Sequence, residues 1–381
     1  MLMVVAVLFW ISLFFVAYSY IIYPCLLFIF SRCFSRPIKT DQDFTPTVGF
    51  LVPAYNEESV IRKKIDNILS IDYPEEKIVV WVGSDCSNDR TDEIVKSYND
   101  SRVHLWRAPE RGGKTGVLNR LTPLIDAEII LFTDANTLHH LDCLRAIVRN
   151  FADPAVGGVA GHVEHITKDG EENAEALYRF FESRQKVMEG KLHSTISAFG
   201  GFYSLRKSLF TPIPPNAYSN DDVLIPMSAI RAGYRVVYEP DAVSEEDLSE
   251  RISAEFSRRV RIGAGNFQAF FWLLDFVNPF RGWPWYCYLS HKVTRWFSPF
   301  FFGLAVIAVT ILTFFTDWLV YRSIFSVGAV LILFSLVNKV FPLKICRHVF
   351  YFLTMNSALF LGFFRFAAGI QSAAWSRTER S

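Results

Sequence analysis

From Met1 to Phe30 the chain carries no charged side chain and is apolar almost throughout, with Tyr18, Tyr20 and Tyr23 toward the end of the stretch. In hydrocarbon a segment must satisfy its own backbone hydrogen bonds, which leaves a helix as the structure open to it. The length suffices, since a spanning helix needs roughly 20 apolar residues. The stretch is too long for the apolar core of a signal peptide, has no basic start and shows no small-residue cleavage site. Arg32, Arg36 and Lys39 follow at once, and the positive-inside rule then predicts an outer N-terminus with the rest of the chain entering the cytoplasm. Residues 1–31 are read as a transmembrane helix and 32–46, holding Pro37 and Pro46 among polar residues, as a linker.

The apolar excess returns at the far end. Residues 272–296 are rich in Trp and Tyr and read as an interfacial amphipathic segment, with His291 to Trp296 as a headgroup anchor. Three spans are expected within 297–370, about Phe297–Phe315, Ser323–Val337 and Val349–Ile370, followed by a tail, 371–381. Lys339, Lys344, Arg347 and His348 between the last two agree with a cytoplasmic side, whereas Arg377 and Arg380 mildly violate the outer placement of the tail. Arg365 is costly in the third span unless it is paired or lines a polar cavity. A net charge of +1 gives no field for nucleic acid, and six cysteines without CxxC spacing indicate neither a disulfide framework nor a zinc site.

Residues 47–271 are different in kind. Strand and helix patterns alternate, beginning with Val48–Val52, Ile78–Val82 and Val103–Trp106, as in an α/β domain with a mainly parallel sheet and ligand loops on one edge. The run Ile129-Ile130-Leu131-Phe132 fits a strand buried on both faces, and it ends in Asp134 and Asn136. Two oxygen-bearing side chains there suit Mg²⁺ or Mn²⁺ shared with a phosphate group, although a turn with a helix cap fits them as well. In Arg111-Gly112-Gly113-Lys114 the glycines let backbone N–H groups approach an anion, and Lys114 adds a point charge. Asn220-Asp221-Asp222 stands directly before an amphipathic helix, where a cap is the plain reading.

Taken together and in this order, the motifs resemble a membrane-bound family-2 glycosyltransferase of GT-A fold, near the branch of cellulose, hyaluronan and poly-N-acetylglucosamine synthases. The resemblance implies a Rossmann-like catalytic domain with one N-terminal and about three C-terminal transmembrane helices. It implies that Pro53, Ala54, Tyr55 and Glu57 of VPAYNEE wall the nucleotide site, and that Asp85 of SDCSNDRT meets the base, with Ser84 in place of the preceding acid. Arg111, Gly113, Lys114 and Asn119 join the donor site by the same reasoning, as do Asp134 and Ala135. Asp134-Ala135-Asn136 stands at the metal-binding D-x-D position with Asn136 for the second acid, and Asp222 becomes the catalytic base with Asp221 as the fallback. Arg258 and Arg261 fall in the segment where processive members carry Q-x-x-R-W and are expected among the nucleotide-sugar-binding residues, while Ile262 replaces the Trp that stacks on the acceptor.

The implied activity is inverting, metal-dependent transfer from a nucleotide-sugar, with UDP favoured, to a lipid-linked or glycan acceptor at the cytoplasmic face of the inner or plasma membrane. Nucleic acid is not an expected partner; membrane lipids are, and an oligomer is left open. Two alternatives stand beside it: a processive polysaccharide synthase, and a non-catalytic membrane-anchored sugar-nucleotide sensor.

Overall fold

The computed structural model describes residues 1–166, 174–247, 252–336 and 344–370. The readings of Lys339, Arg377 and Arg380 lie outside these residues. The N-terminal helix is α1 (Leu2–Ala17), which passes through a π turn at Tyr18–Ile22 into α2 (Tyr23–Cys33).

The domain that follows alternates as its apolar runs require. β1 (Val48–Ala54), buried along its whole length, leads to α3 (Ile61–Leu69), β2 (Ile78–Ser84), α4 (Thr91–Lys96) and β3 (Val103–Arg107). Then come α5 (Gly113–Leu121), β4 (Ile129–Thr133), β5 (Thr137–His139) and α6 (Cys143–Val148). The second half has β6 (Val156–Ile166), α7 (Ala174–Leu192), β7 (Phe202–Arg206), α8 (Asp221–Arg231) and β8 (Arg235–Asp247). One eight-stranded sheet results, in the order β3-β2-β1-β4-β7-β6-β8-β5. The first four strands are parallel; β7 runs against both β4 and β6, and β5 runs against β8. The sheet is therefore mixed and mostly parallel. Because only Asp134-Ala135-Asn136 joins β4 to β5, and these strands are separated by β7, β6 and β8, this part of the sheet must curl into a half-barrel. That three-residue link lies across its mouth.

The remaining elements are α9 (Ile252–Trp272), α10 (Trp283–Cys287), α11 (Thr294–Phe315), α12 (Leu319–Leu336) and α13 (Lys344–Ala367). A π turn, Tyr288–Val293, makes α10 and α11 continuous. Among the described residues four helices are long and apolar enough to cross a membrane: Leu2–Cys33, Trp283–Phe315, Leu319–Leu336 and Cys346–Ala367. Arg365, expected to be costly within the third candidate span unless paired or lining a polar cavity, falls in the last turn of α13, the end of the helix from which a long side chain can snorkel. α9 crosses α13 at a pair of glycines. A Cβ on Gly362 would meet the backbone nitrogen of Ala264 at 2.7 Å, so only glycine permits this approach.

Candidate active site

The carboxyl ends of β1 and β2 carry two turns that are laced together. Backbone N–H groups of Asn56, Glu57 and Glu58 donate to Ser87 Oγ, Thr91 Oγ1 and Asp89 Oδ2 at 3.2, 2.8 and 3.1 Å. Asn88 N–H returns a bond to Asn56 Oδ1 at 2.9 Å. Asn56 and Cys86 both hold positive φ, 57° and 59°, a conformation that non-glycine residues keep only where surrounding contacts impose it. Pro53 and Ala54 end β1 beside Gly83 and Ser84, and the Tyr55 ring carries the Arg111 guanidinium 3.6 Å from its centre. VPAYNEE and SDCSNDRT thus form a single wall.

Asp85 is fully buried, and its two carboxylate oxygens accept from Gly112 N–H at 2.8 Å and Gly113 N–H at 3.0 Å. In this structure Asp85 orders the glycine loop, with Arg111 Nε 3.7 Å away. Gly113 opens α5 at φ +71°, a value glycine adopts without cost. The Asn119 amide is engaged by backbone groups. It donates to the Ile213 carbonyl at 2.7 Å and accepts from the Ile213 N–H at 2.8 Å, which makes it a staple between α5 and the proline segment.

Lys114 is where the motifs converge. Its ammonium lies 2.9 Å from Asp134 Oδ1 and 3.1 Å from Asp221 Oδ2. Burial alone would lower its pKa, but the two carboxylates outweigh burial and hold it charged. Asp134 is raised, chiefly by burial. Asn136 Nδ2 donates to Glu246 Oε1 of β8 at 3.2 Å, and Ala135 is buried between the two polar neighbours.

The paired acids at the start of α8 differ in environment. Asp221 accepts from the Tyr203 hydroxyl at 2.7 Å as well as pairing with Lys114. Asp222 faces the pocket, and its carboxylate has no hydrogen bond or ion pair among the described residues. Burial first, then the charge of Asp221, push its pKa up to about 6. Asn220, at φ +73°, starts the turn; its Nδ2 donates to Asn266 Oδ1 of α9 at 2.5 Å. Asn266 was missed by sequence reasoning. The small-residue run Gly263-Ala264-Gly265 just before it was the available signal of a close helix approach.

Asp134, Asp221 and Asp222 open into one cavity of about 550 Å³ that extends to α9, α11 and α13. Arg258, Arg259 and Ile262 line it from α9; Tyr351, Asn356 and Leu359 line it from α13. Arg259 donates to the Tyr351 hydroxyl at 3.1 Å. Arg261 is not among the lining residues.

The headgroup-anchor reading of His291 is overturned. His291 is fully buried, 2.6 Å from Glu189 and 3.1 Å from Glu182, while Arg295 reaches Glu182 at 2.6 Å and Lys292 at 3.4 Å. Burial would raise the pKa of Glu182, yet His291, Lys292 and Arg295 bring it well below the usual carboxylate range. This segment is a charged seam between α7 and the apolar helices. Its signal was the acidic stripe Glu182 and Glu189, with Lys186 between them on the same face of α7.

The residues present suit a divalent ion only in part. Among the described residues no three His, Cys, Asp or Glu side chains are grouped to hold one, and the Lys114 ammonium already bridges Asp134 and Asp221. Asp134 with an amide oxygen of Asn136 fits an ion that takes its remaining oxygens from a bound diphosphate, as Mg²⁺ commonly does.

A half-barrel of mostly parallel strands with acidic loops at its mouth, carried beside apolar helices, is a GT-A-like fold. It superposes with a TM-score of 0.73 on a mannosyltransferase from Pyrobaculum calidifontis solved with GDP-Man and Mn²⁺, covering 94% of this chain and 99% of that one at 24% identity. Residues 50–210 match the family model of Glycosyl transferase family 2, and the chain carries a domain of that family. Among curated relatives, a beta-monoglucosyldiacylglycerol synthase of Trichormus variabilis is 38% identical over 133 residues, 33% of this chain and 28% of that protein's length. The chain therefore matches well under half of that relative. A poly-beta-1,6-N-acetyl-D-glucosamine synthase of Staphylococcus aureus is 23% identical over 265 residues, 65% of this chain and 63% of its own length.

Proposed function

We propose that the chain transfers a sugar, with inversion, from a nucleoside-diphosphate donor to an acceptor hydroxyl presented beside the membrane helices, in glycolipid or envelope-glycan synthesis. The observation that carries this reading is the convergence of Asp134, Asp221 and Asp222 on one cavity that continues between α9 and α13, with Lys114 bridging the first two.

In the proposed reaction the acceptor oxygen attacks the anomeric carbon from the face opposite the diphosphate. The carbon–oxygen bond to the diphosphate breaks, and the nucleotide leaves with the electron pair. Asp222 takes the acceptor proton; a carboxylate lifted to about 6 is a better base than an ordinary one and is still ionised at neutral pH. Asp221, fixed by Tyr203 and Lys114, holds the turn that presents Asp222. Lys114 supplies a cation to the departing phosphates when they draw it from the carboxylates. Mg²⁺ or Mn²⁺ on Asp134 and Asn136, when bound, would offset negative charge on the same phosphates. The wall of Pro53, Ala54, Tyr55 and Glu57, closed by Arg111 over Tyr55, is assigned to the nucleotide, with Asp85 and Gly113 shaping its loop. Arg258, beside Ile262, is assigned to the acceptor side of the cavity.

The domain faces the cytoplasm in this proposal, since Arg32, Arg36 and Lys39 flank the first apolar helix. Ile262 lines the cavity at the position where the resemblance to processive members would place a stacking Trp, and this replacement favours single addition to a lipid-linked acceptor over processive synthesis. The test is a screen of UDP- and GDP-sugars with membranes as the acceptor source and mass spectrometry of the lipid product. A ladder of long glycan chains would replace single addition by processive synthesis. Donor binding with neither transfer nor hydrolysis would favour a sensor.

A further inference from the structure

We propose that Lys64 is a positioning residue for the donor site, tying the two ends of the acidic loop together from behind. The inference rests on the proposed role of Asp134 and Asn136 at the donor phosphates.

Lys64 projects from α3 and is fully buried. Its ammonium donates to Thr133 Oγ1 at 2.8 Å, to the Thr137 carbonyl oxygen, and to His139 Nε2 at 2.9 Å. Thr133 and Thr137 are the residues immediately before and after Asp134-Ala135-Asn136. An ammonium has three donors, and here each has an acceptor on the strand before the loop or the strand after it. One turn further along α3, Asn67 repeats the grip. Its amide donates to the His139 carbonyl at 2.8 Å and accepts from the His139 N–H at 2.7 Å.

Such a cation is expensive to bury, and an apolar side chain of similar volume commonly serves a core as well or better. Burial lowers the Lys64 pKa to about 7, and no carboxylate contacts it among the described residues. The cost goes into fixing a short link. β5 is only three residues long and among the described residues pairs with β8 alone, so its own ladder holds the far end of the loop weakly. With Lys64 in place, the directions of Asp134 and Asn136 are set before a ligand arrives. Groups that orient ligating side chains in this way typically change metal affinity or activity by about 10–100-fold when removed.

The test compares the full-length protein with Lys64→Met in detergent. Mn²⁺ titration by electron paramagnetic resonance, with UDP and with GDP, is set beside metal-free binding of the same nucleotides and hydrogen exchange over residues 133–139. For Lys64→Met we expect Mn²⁺–nucleotide affinity to fall about 10–100-fold, metal-free nucleotide binding to stay within about twofold, and exchange in the loop to speed up. A loss confined to fold stability would leave the first two equally affected. If Lys64→Met does not fold, Thr133→Val, which removes one acceptor at nearly constant shape, decides: a smaller loss of the same pattern supports the proposal. Parent-like Mn²⁺–nucleotide affinity and loop exchange in a folded variant overturn it. Absence of Mn²⁺–nucleotide binding in the parent would count against the donor-site reading, and loop exchange would still decide the role of Lys64.

Discussion

Replacing Asp222 by Asn should do two opposite things at once. As the proposed base, Asp222 contributes the proton-accepting step, and its loss should lower transfer by about 10²–10⁴-fold. As a carboxylate raised from 3.8 to about 6, it also burdens the folded state whenever it is ionised. Each pKa unit is worth about 1.4 kcal/mol, which sets a ceiling near 3 kcal/mol; the cavity admits solvent, so about 1–3 kcal/mol is expected. The sign follows from proton binding. Between pH 4 and 6 the folded protein holds a proton here that the unfolded chain has lost, so stability falls as pH rises through this window. Above about pH 6 the burden is complete, and below the unfolded value it vanishes. Asp222→Asn should therefore melt a few degrees higher than the parent at pH 7.5, at about 2–4 °C per kcal/mol, and show no such advantage near pH 4. The assay is thermal unfolding in detergent across that range, with transfer measured on the same samples. An Asn variant that keeps transfer, or that is less stable than the parent at pH 7.5, refutes the assignment.

Other expectations concern the surroundings of the site. Asp85→Ala would leave the Gly112 and Gly113 N–H groups without their buried acceptor, costing about 1–3 kcal/mol for each group left unsatisfied; calorimetry should show the lower melting point and weaker nucleotide binding together. Gly362→Val should force α9 and α13 apart, at a cost of about 1–3 kcal/mol or more, and reduce transfer while nucleotide binding survives. His291→Phe would remove the group between Glu182 and Glu189, and breaking such a buried pair typically costs about 3–5 kcal/mol. A melting temperature equal to the parent's would refute the seam.

The parallel half of the sheet was legible because β1 and β4 are uninterrupted apolar runs ending in polar turns. The turn motifs gave the loops at their carboxyl ends. The antiparallel β7 is harder to read, since glycines at 200 and 201 blur where the strand begins. Lys64 was overlooked although it stands among Ile61, Ile65 and Ile68 on the apolar face of α3, where a lone cation is itself a signal. The Asn119 staple to Ile213 left no trace in either period, because its partner is 94 residues away and lies in a proline-rich segment. His291 was misread because basic and aromatic residues beside a span have two explanations, and only the acids of α7 distinguish them.

The short link across the half-barrel has a consequence for how this protein matures. β5 hydrogen-bonds to β8, so Thr137 meets Glu246, a partner translated more than a hundred positions later. Loops closed over such separations form slowly. It follows that a nascent chain with β1 to β4 already folded would still lack a competent acidic cluster, and that the pocket appears only once the second half of the domain has emerged and wrapped round.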